Sequence, residues 1–143
     1  MDKKELRDAL MHQLWRMNKM DLMVNMREYL EGESAALNYL YACGDARVTP
    51  SQISENISVS RARMANILRS LRGKKYIEME ISEHDRRKMD VYITPAGKEY
   101  CKERYDYLVR YFDLYVDVLG EDDIKELTRL IRKTADNEVR LKK

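Results

Sequence analysis

Cationic and hydrogen-bonding side chains crowd one stretch of this sequence. Residues 61–75 carry Arg61, Arg63, Arg69, Arg72, Lys74 and Lys75 with no acid, and Asn66 stands among them. Downstream, "HDRRK" sets Asp85 ahead of Arg86, Arg87 and Lys88. Between residues 61 and 88 nine cations face four acids, a local charge of +5 in a chain whose net charge is +2. Such a set is suited to holding a polyanion rather than to making or breaking bonds. A guanidinium donates two parallel hydrogen bonds to a phosphate or to a guanine edge, an asparagine amide pairs with adenine in the same way, and a lysine holds phosphate as a point charge. Ser51, Gln52 and Ser60 stand just upstream. A hydroxyl, an amide or the free N–H groups of a helix start can reach phosphate there. The candidate contact residues are therefore Ser51, Gln52, Ser60, Arg61, Arg63, Asn66, Arg69, Lys74, Lys75, Asp85, Arg86, Arg87 and Lys88. The competing reading is a solvated basic helix face. An arginine-bearing face without compensating acid is unusual for solubility alone.

Other chemistries find little support. No nucleophile stands with a base and an orienting group, and no glycine-rich phosphate loop appears, so no enzyme is expected. His12 and His84 lie far apart, and Cys43 and Cys101 lack metal or redox spacing. No metal or cofactor is expected, and the cysteines read first as buried thiols. At 143 residues, 44% hydrophobic and 36% charged, the chain suits one domain with its own core. Its opening, "MDKKELRDAL", has no secretory apolar region, and the longest apolar run, Tyr39–Cys43, is too short for a bilayer. A cytoplasmic protein without membrane contact is the expectation.

The elements that must carry these residues can be read from periodicity. Leu6, Leu10, Leu14, Met17, Leu22, Met26, Tyr29 and Leu30 predict one long helix over 3–30, apolar on more than one side and suited to a second chain. After Gly32 a helix is expected over 34–43, ended by Gly44. "ARV" at 46–48 suggests a short strand. Thr49, Pro50 and Gln52 form a capping-box start for a helix over 50–56, and Ser60 caps the next. In that helix Met64, Ile67, Leu68 and Leu71 face inward and the basic residues fall elsewhere. Two short helices joined in this way fit a helix-turn-helix. Ile77, Met79 and Ile81, then Met89, Val91 and Ile93, alternate as two strands of a hairpin, with the cations at its tip. Thr94 and Pro95 start a helix over 95–118, Gly120 breaks it, and "EDD" opens a last helix.

In order, charge and spacing, Asp85, Arg87, Val91, Ile93, Thr94 and Gly97 match the wing signature of the MarR family of transcriptional regulators. The chain resembles that family along essentially its whole length. The resemblance implies a mainly α (α+β) fold: a winged helix-turn-helix over 32–94, inside a helical dimerisation region formed by 1–31 and 95–143, within a single domain over 1–143. It implies a sequence-specific regulator, often a repressor, acting as a homodimer on double-stranded DNA. Leu6, Leu10, Leu14, Leu108, Phe112, Leu127 and Ile131 supply the apolar stripes for the dimer. A two-fold dimer would set its recognition helices, about 60–72, roughly 34–36 Å apart on a near-palindromic operator. The wing, about 82–90, would reach the minor groove, with Asp85 restraining one arginine while Arg86 or Arg87 inserts. Family members often bind small aromatic acids or phenolic compounds near the seam between dimer helices and winged region. Met11, Trp15, Tyr39 and Tyr41 lie there, although aromatic stripes are more often core.

Three departures stand out. Lys75 occupies the place of a usual family glycine, which suggests a turn re-formed around Gly73; Asn66 stands where an arginine is frequent; the first helix lacks the cysteine of the peroxide-sensing branch. The alternative function is a winged-helix module that binds protein and not DNA.

Overall fold

A computed structural model describes residues 1–142. It contains α1 (Lys3–Asn18), α2 (Asp21–Leu30), α3 (Gly32–Cys43), α4 (Pro50–Asn56), α5 (Arg61–Gly73), β1 (Ile77–Ile81), β2 (Met89–Ile93), α6 (Pro95–Leu119), α7 (Glu121–Asp136) and α8 (Glu138–Leu141). The backbone forms two compact units, Met1–Tyr107 and the segment from Leu108 onward.

In the first unit α3, α4 and α5 pack on one another and on the two strands. Their core is built from Leu37, Ile53, Met64, Leu71, Ile77 and Val91, all fully buried. These are the inward residues of the α5 stripe and of the alternating strands, so burial of apolar surface sets which face of each element turns inward. β1 and β2 pair antiparallel, with Ile77 opposite Ile93 and Ile81 opposite Met89. The expected strand at 46–48 reduces to one bridge, in which Val91 donates from its backbone nitrogen to the Val48 carbonyl at 2.8 Å. Helix starts follow their caps: the Asp2 carboxylate accepts from Glu5 N, the Thr49 hydroxyl from Gln52 N, and the Ser60 hydroxyl from Arg63 N.

The single helix expected over 3–30 is two helices. Lys19 ends α1 and Met20 is extended. Arg27 reaches back from α2, donating to the Asn18 side chain at 2.6 Å and to its carbonyl at 3.1 Å. A helix end leaves its last carbonyls without intrahelical partners, and Arg27 satisfies one of them. The break was hidden because the apolar pattern continues across it.

The turn after α5 also differs from expectation. Gly73 is the last helical residue, and the left-handed position is Lys75, at φ 65°. Tyr76 N donates to Leu71 O and Lys75 N to Arg72 O, both at 3.0 Å, closing a Schellman motif. That geometry needs its positive φ one residue after the C-cap, which is Lys75 and not Gly73. The Thr94 hydroxyl, at 2.7 Å from the Lys75 carbonyl, holds the turn from the far strand. A side chain in this conformation costs about 1–2 kcal/mol, partly offset in a Lys→Gly exchange by the looser unfolded chain. Lys75→Gly should therefore raise stability by about 1 kcal/mol, read as a higher urea midpoint at unchanged slope.

In the second unit α7 is strongly amphipathic and α8 is a single short turn. Its ion pairs, Lys125 with Glu121, Arg129 with Glu126 and Lys142 with Glu138, are exposed and contribute little to stability. Among the described residues no helix is long and apolar enough to cross a membrane.

Candidate nucleic-acid interface

The α5 core stripe of Met64, Ile67, Leu68 and Leu71 fixes what the helix presents on its other sides. At 100° per residue, Ala62, Asn66, Arg69 and Gly73 lie opposite that stripe, and all four are exposed. Arg61, Ala65 and Arg72 lie on one flank, where with Pro50, Ser51, Ser54, Met64, Leu68, Arg69 and Met79 they line an open groove of about 410 Å³. Arg63, Ser70 and Lys74 lie on the other flank, toward α3.

That second flank is tied down. Glu33, in the first turn of α3, accepts from the Ser70 hydroxyl at 2.8 Å and from Lys74 Nζ at 3.1 Å. The carboxylate partner pushes the Lys74 ammonium pKa above its ordinary value. Arg63 is turned the same way, its Nη2 lying 3.9 Å from where a Cβ on Gly32 would sit. It lines a polar cleft of about 530 Å³ with Glu31, Glu33, Lys74, Tyr100 and Arg104. Of the basic residues expected to face DNA, then, Arg63 and Lys74 are directed toward α3, while Arg69 stands on the outer crest. There its Nη1 donates to Asn66 Oδ1 at 3.2 Å. Glu33 was not legible as part of this surface: it is 37 positions from Ser70, and no local spacing links them.

Upstream, the Gln52 side chain is occupied by the capping box, its Oε1 accepting from Thr49 N at 2.8 Å. The Ser60 hydroxyl accepts from Arg63 N at 3.1 Å. The Ser51 side chain is exposed at the start of α4.

The wing resolves which arginine is held. Asp85 Oδ1 accepts from the backbone nitrogen of Arg87 at 3.0 Å and from its Nε at 3.2 Å. This double contact holds the Asp85 carboxyl below its ordinary pKa. Arg87 keeps both terminal nitrogens clear of that contact and projects outward, its side chain 91% exposed. Arg86 and Lys88 are exposed beside it. A further pair, Arg47 with Glu83 at 3.7 Å, links the start of the wing loop to the loop before α4.

The other expected groups are placed as follows. Leu6, Leu10 and Leu14 are exposed on α1, and Ile131 is exposed on α7; Phe112 and Leu127 are half-buried; Leu108 is buried. Met11 and Trp15 are exposed on α1. Tyr39 packs on the core, its hydroxyl accepting from Asn56 Nδ2 at 3.2 Å. Tyr41 lines a cavity of about 310 Å³ with Tyr29, Asn38, Cys101 and Tyr105. Of the four aromatic and apolar residues expected near a ligand seam, only Tyr41 lines this cavity. Tyr29 and Tyr105 took no part in the sequence expectation, because Tyr29 reads simply as one more residue of a helical stripe. Burial pushes the Cys101 thiol pKa up, the opposite of an activated thiolate. Among the described residues no cluster of three metal-ligating side chains occurs.

Comparison with known proteins agrees with this architecture. The family described as "Winged helix DNA-binding domain" matches residues 33–112. An uncharacterized HTH-type transcriptional regulator of Bacillus subtilis (strain 168), YwaE, is 33% identical over 86 residues, 60% of this chain and 50% of its own length. The match thus spans about half of that relative. Among solved structures, MepR, a transcription regulator of the Staphylococcus aureus multidrug efflux pump MepA, superposes with a TM-score of 0.66 at 17% identity, covering 96% of this chain and 98% of MepR. The S. aureus MepR–DNA complex gives 0.60 at 18% identity, covering 94% and 92%. At that identity the likeness establishes the fold, which is the one the MarR resemblance implies. With more than half its length matched, from α3 through the wing and into α6, the chain belongs to the winged helix DNA-binding domain family.

Proposed function

We propose that the protein is a sequence-specific DNA-binding transcriptional regulator that acts as a homodimer in the cytoplasm. The observation that carries this reading is the shared exposure of two basic surfaces: the outer crest of α5 with Asn66 and Arg69, and a wing tip where Asp85 orients Arg87. The crest suits the major groove, and a preoriented arginine on a projecting hairpin suits a narrow minor groove, where negative potential is concentrated. Arg87 is the inserting residue, because its guanidinium is held while its terminal nitrogens stay free to donate. Arg61, Arg72, Lys75, Arg86 and Lys88 hold phosphates. The role is one of binding, and no reacting group is needed.

The dimer reading rests on α1, which buries no residue within the single chain although Leu6, Leu10 and Leu14 repeat along one side. A small apolar or aromatic effector fits as a regulator of the same dimer. Its place is the tyrosine-lined cavity with Tyr29, Tyr41 and Tyr105, rather than Met11 and Trp15.

The test is selection of bound duplexes from a random pool, then affinity against salt. Specific binding should weaken by orders of magnitude between about 50 and 200 mM salt. Arg87→Ala should cost about tenfold and remove any preference for A·T-rich sequence beside the half-sites. Equal binding with and without salt would favour a protein partner for this surface, and a larger loss in Arg86→Ala than in Arg87→Ala would reverse the roles of the two arginines.

A further inference from the structure

We infer that Arg69 and Asn66 form one base-reading unit on α5, with Arg69 reading a guanine and Asn66 serving as its positioning residue; this rests on the DNA-binding role proposed above. Spacing alone suggests the opposite division, with Asn66 pairing with adenine and Arg69 serving a phosphate. Three observations reverse it.

The first is position. Arg69 and Asn66 lie opposite the buried Met64–Leu71 stripe, at the centre of the face that α5 turns away from the core. A residue that serves phosphate belongs on the flanks, which meet the groove walls, and not on the crest that meets the groove floor. The second is competition. Arg63 and Lys74 are turned toward α3, so neither supplies an arginine fork or an ammonium to the crest. Arg61 and Arg72 stand on the flank beside the groove shared with α4 and β1, which Arg69 lines from the crest.

The third is the chemistry of the pair. Arg69 Nη1 donates to Asn66 Oδ1 at 3.2 Å. Asparagine reads adenine with one acceptor and one donor: its oxygen takes the N6 amino hydrogen, while its amide nitrogen donates to N7. Here a guanidinium cation already faces that oxygen, so an approaching amino donor meets positive charge. What the pair offers outward is chiefly donors, the remaining N–H groups of Arg69 and the Asn66 amide, with one lone pair of Asn66 Oδ1 taken by Arg69. Guanine presents two acceptors in the major groove, O6 and N7; adenine presents one acceptor and one donor. A donor-rich unit with a cation beside its one acceptor therefore favours guanine. Holding the guanidinium in advance also reduces the rotamer freedom lost on binding. Ala62, one turn earlier on the same crest, leaves room for this close approach.

The experiment selects duplexes from a random pool with the wild-type protein and with the exposed-site variants Arg69→Lys, Arg69→Ala and Asn66→Ala. Thermal unfolding confirms that each is folded. Wild type should enrich one guanine at a symmetric place in each half-site, and replacing that guanine by adenine should weaken binding about ten- to a hundredfold. Arg69→Lys keeps the charge but loses the planar fork. It should keep the wild-type salt slope while discrimination at that one position falls to about twofold. Asn66→Ala should lower the guanine preference at the same position and leave the others alone. Arg69→Ala should flatten that position. If instead it weakens all duplexes equally and lowers the salt slope by about one per protomer, Arg69 is a phosphate contact and the inference is overturned. A consensus that requires adenine at the position lost in Asn66→Ala also overturns it. If wild type enriches no sequence, the DNA-reading role itself fails and this assignment falls with it.

Discussion

Gly97→Ala is expected to destabilise the folded chain by about 3 kcal/mol, the upper end of the cost of overpacking. A Cβ on Gly97 would lie 2.3 Å from the Tyr76 carbonyl oxygen and 2.8 Å from Ile93 Cγ1. The first of these is backbone and cannot swing aside. It is pinned because Tyr76 O accepts from Thr94 N at 3.0 Å, and because Tyr76 is the residue that closes the Schellman motif after α5. The Tyr76 ring also stacks on Tyr100, with centroids 4.7 Å apart. Gly97 thus permits the start of α6 to press on the joint between recognition helix and hairpin, while the Thr94 hydroxyl caps that start from Gly97 N and braces the Lys75 carbonyl. A methyl group there must lift α6 or distort the joint. The measurement is a urea titration of Gly97→Ala beside Gly73→Ala. Gly73 is helical, and a Cβ at that position would meet nothing within 4 Å, so its exchange should stabilise by about 0.5–1 kcal/mol. Similar midpoints for the two variants would show that the joint is not tightly packed at Gly97.

That joint also marks how far the sequence carries. The signature Thr94 and Gly97 is readable as a motif, but its physical reason is not: it depends on the Tyr76 carbonyl, from the far side of the hairpin, being brought against the helix start. Local signals served well where one short segment fixes its own geometry. The capping box at Thr49, the Ser60 cap and the hairpin alternation all place elements where the structure has them. They failed where a distant side chain decides. The α1–α2 break depends on Arg27 reaching back to Asn18, and the orientation of the α5 flank depends on Glu33. The left-handed turn fell on Lys75 because the hydrogen-bond count after α5 sets its place, whatever residue stands there. The same limit applies to the contact surface. Charge marks the candidate residues, but which cations face outward was not legible, since that requires knowing which are held from behind.

Placing glutamate at both Leu10 and Leu14 is expected to convert a dimer into monomers and, through that, to remove high-affinity operator binding. In the single chain these two side chains are 61% and 53% exposed, and Leu6, on the same side of α1, is 56% exposed. A soluble surface scatters such residues; three leucines in one stripe on a helix that buries nothing of its own are the face the proposed dimer would cover. Burying one leucine fully stabilises by about 1.5–3 kcal/mol, and in a two-fold interface each residue contributes twice. Since little more than half of each is left to bury, loss of both leucines in both protomers removes about 3–7 kcal/mol, before the cost of burying four carboxylates. A Kd in the nanomolar range corresponds to about 12 kcal/mol, so with the carboxylate cost added the association should be lost at any practical concentration. Light scattering after size exclusion should report one chain mass for the variant and two for wild type. Trp15, the only tryptophan, lies on α1 next to Leu14 and should report the change by its emission. Operator affinity should drop at least about a hundredfold, because a monomer reads one half-site and loses the linked second contact. The winged region should stay folded, since its core is built from α3, α4, α5 and the hairpin and includes neither leucine. A wild-type protein that is monomeric at micromolar concentration, yet binds a palindromic duplex two chains at a time, would place dimerisation on the DNA and not on α1.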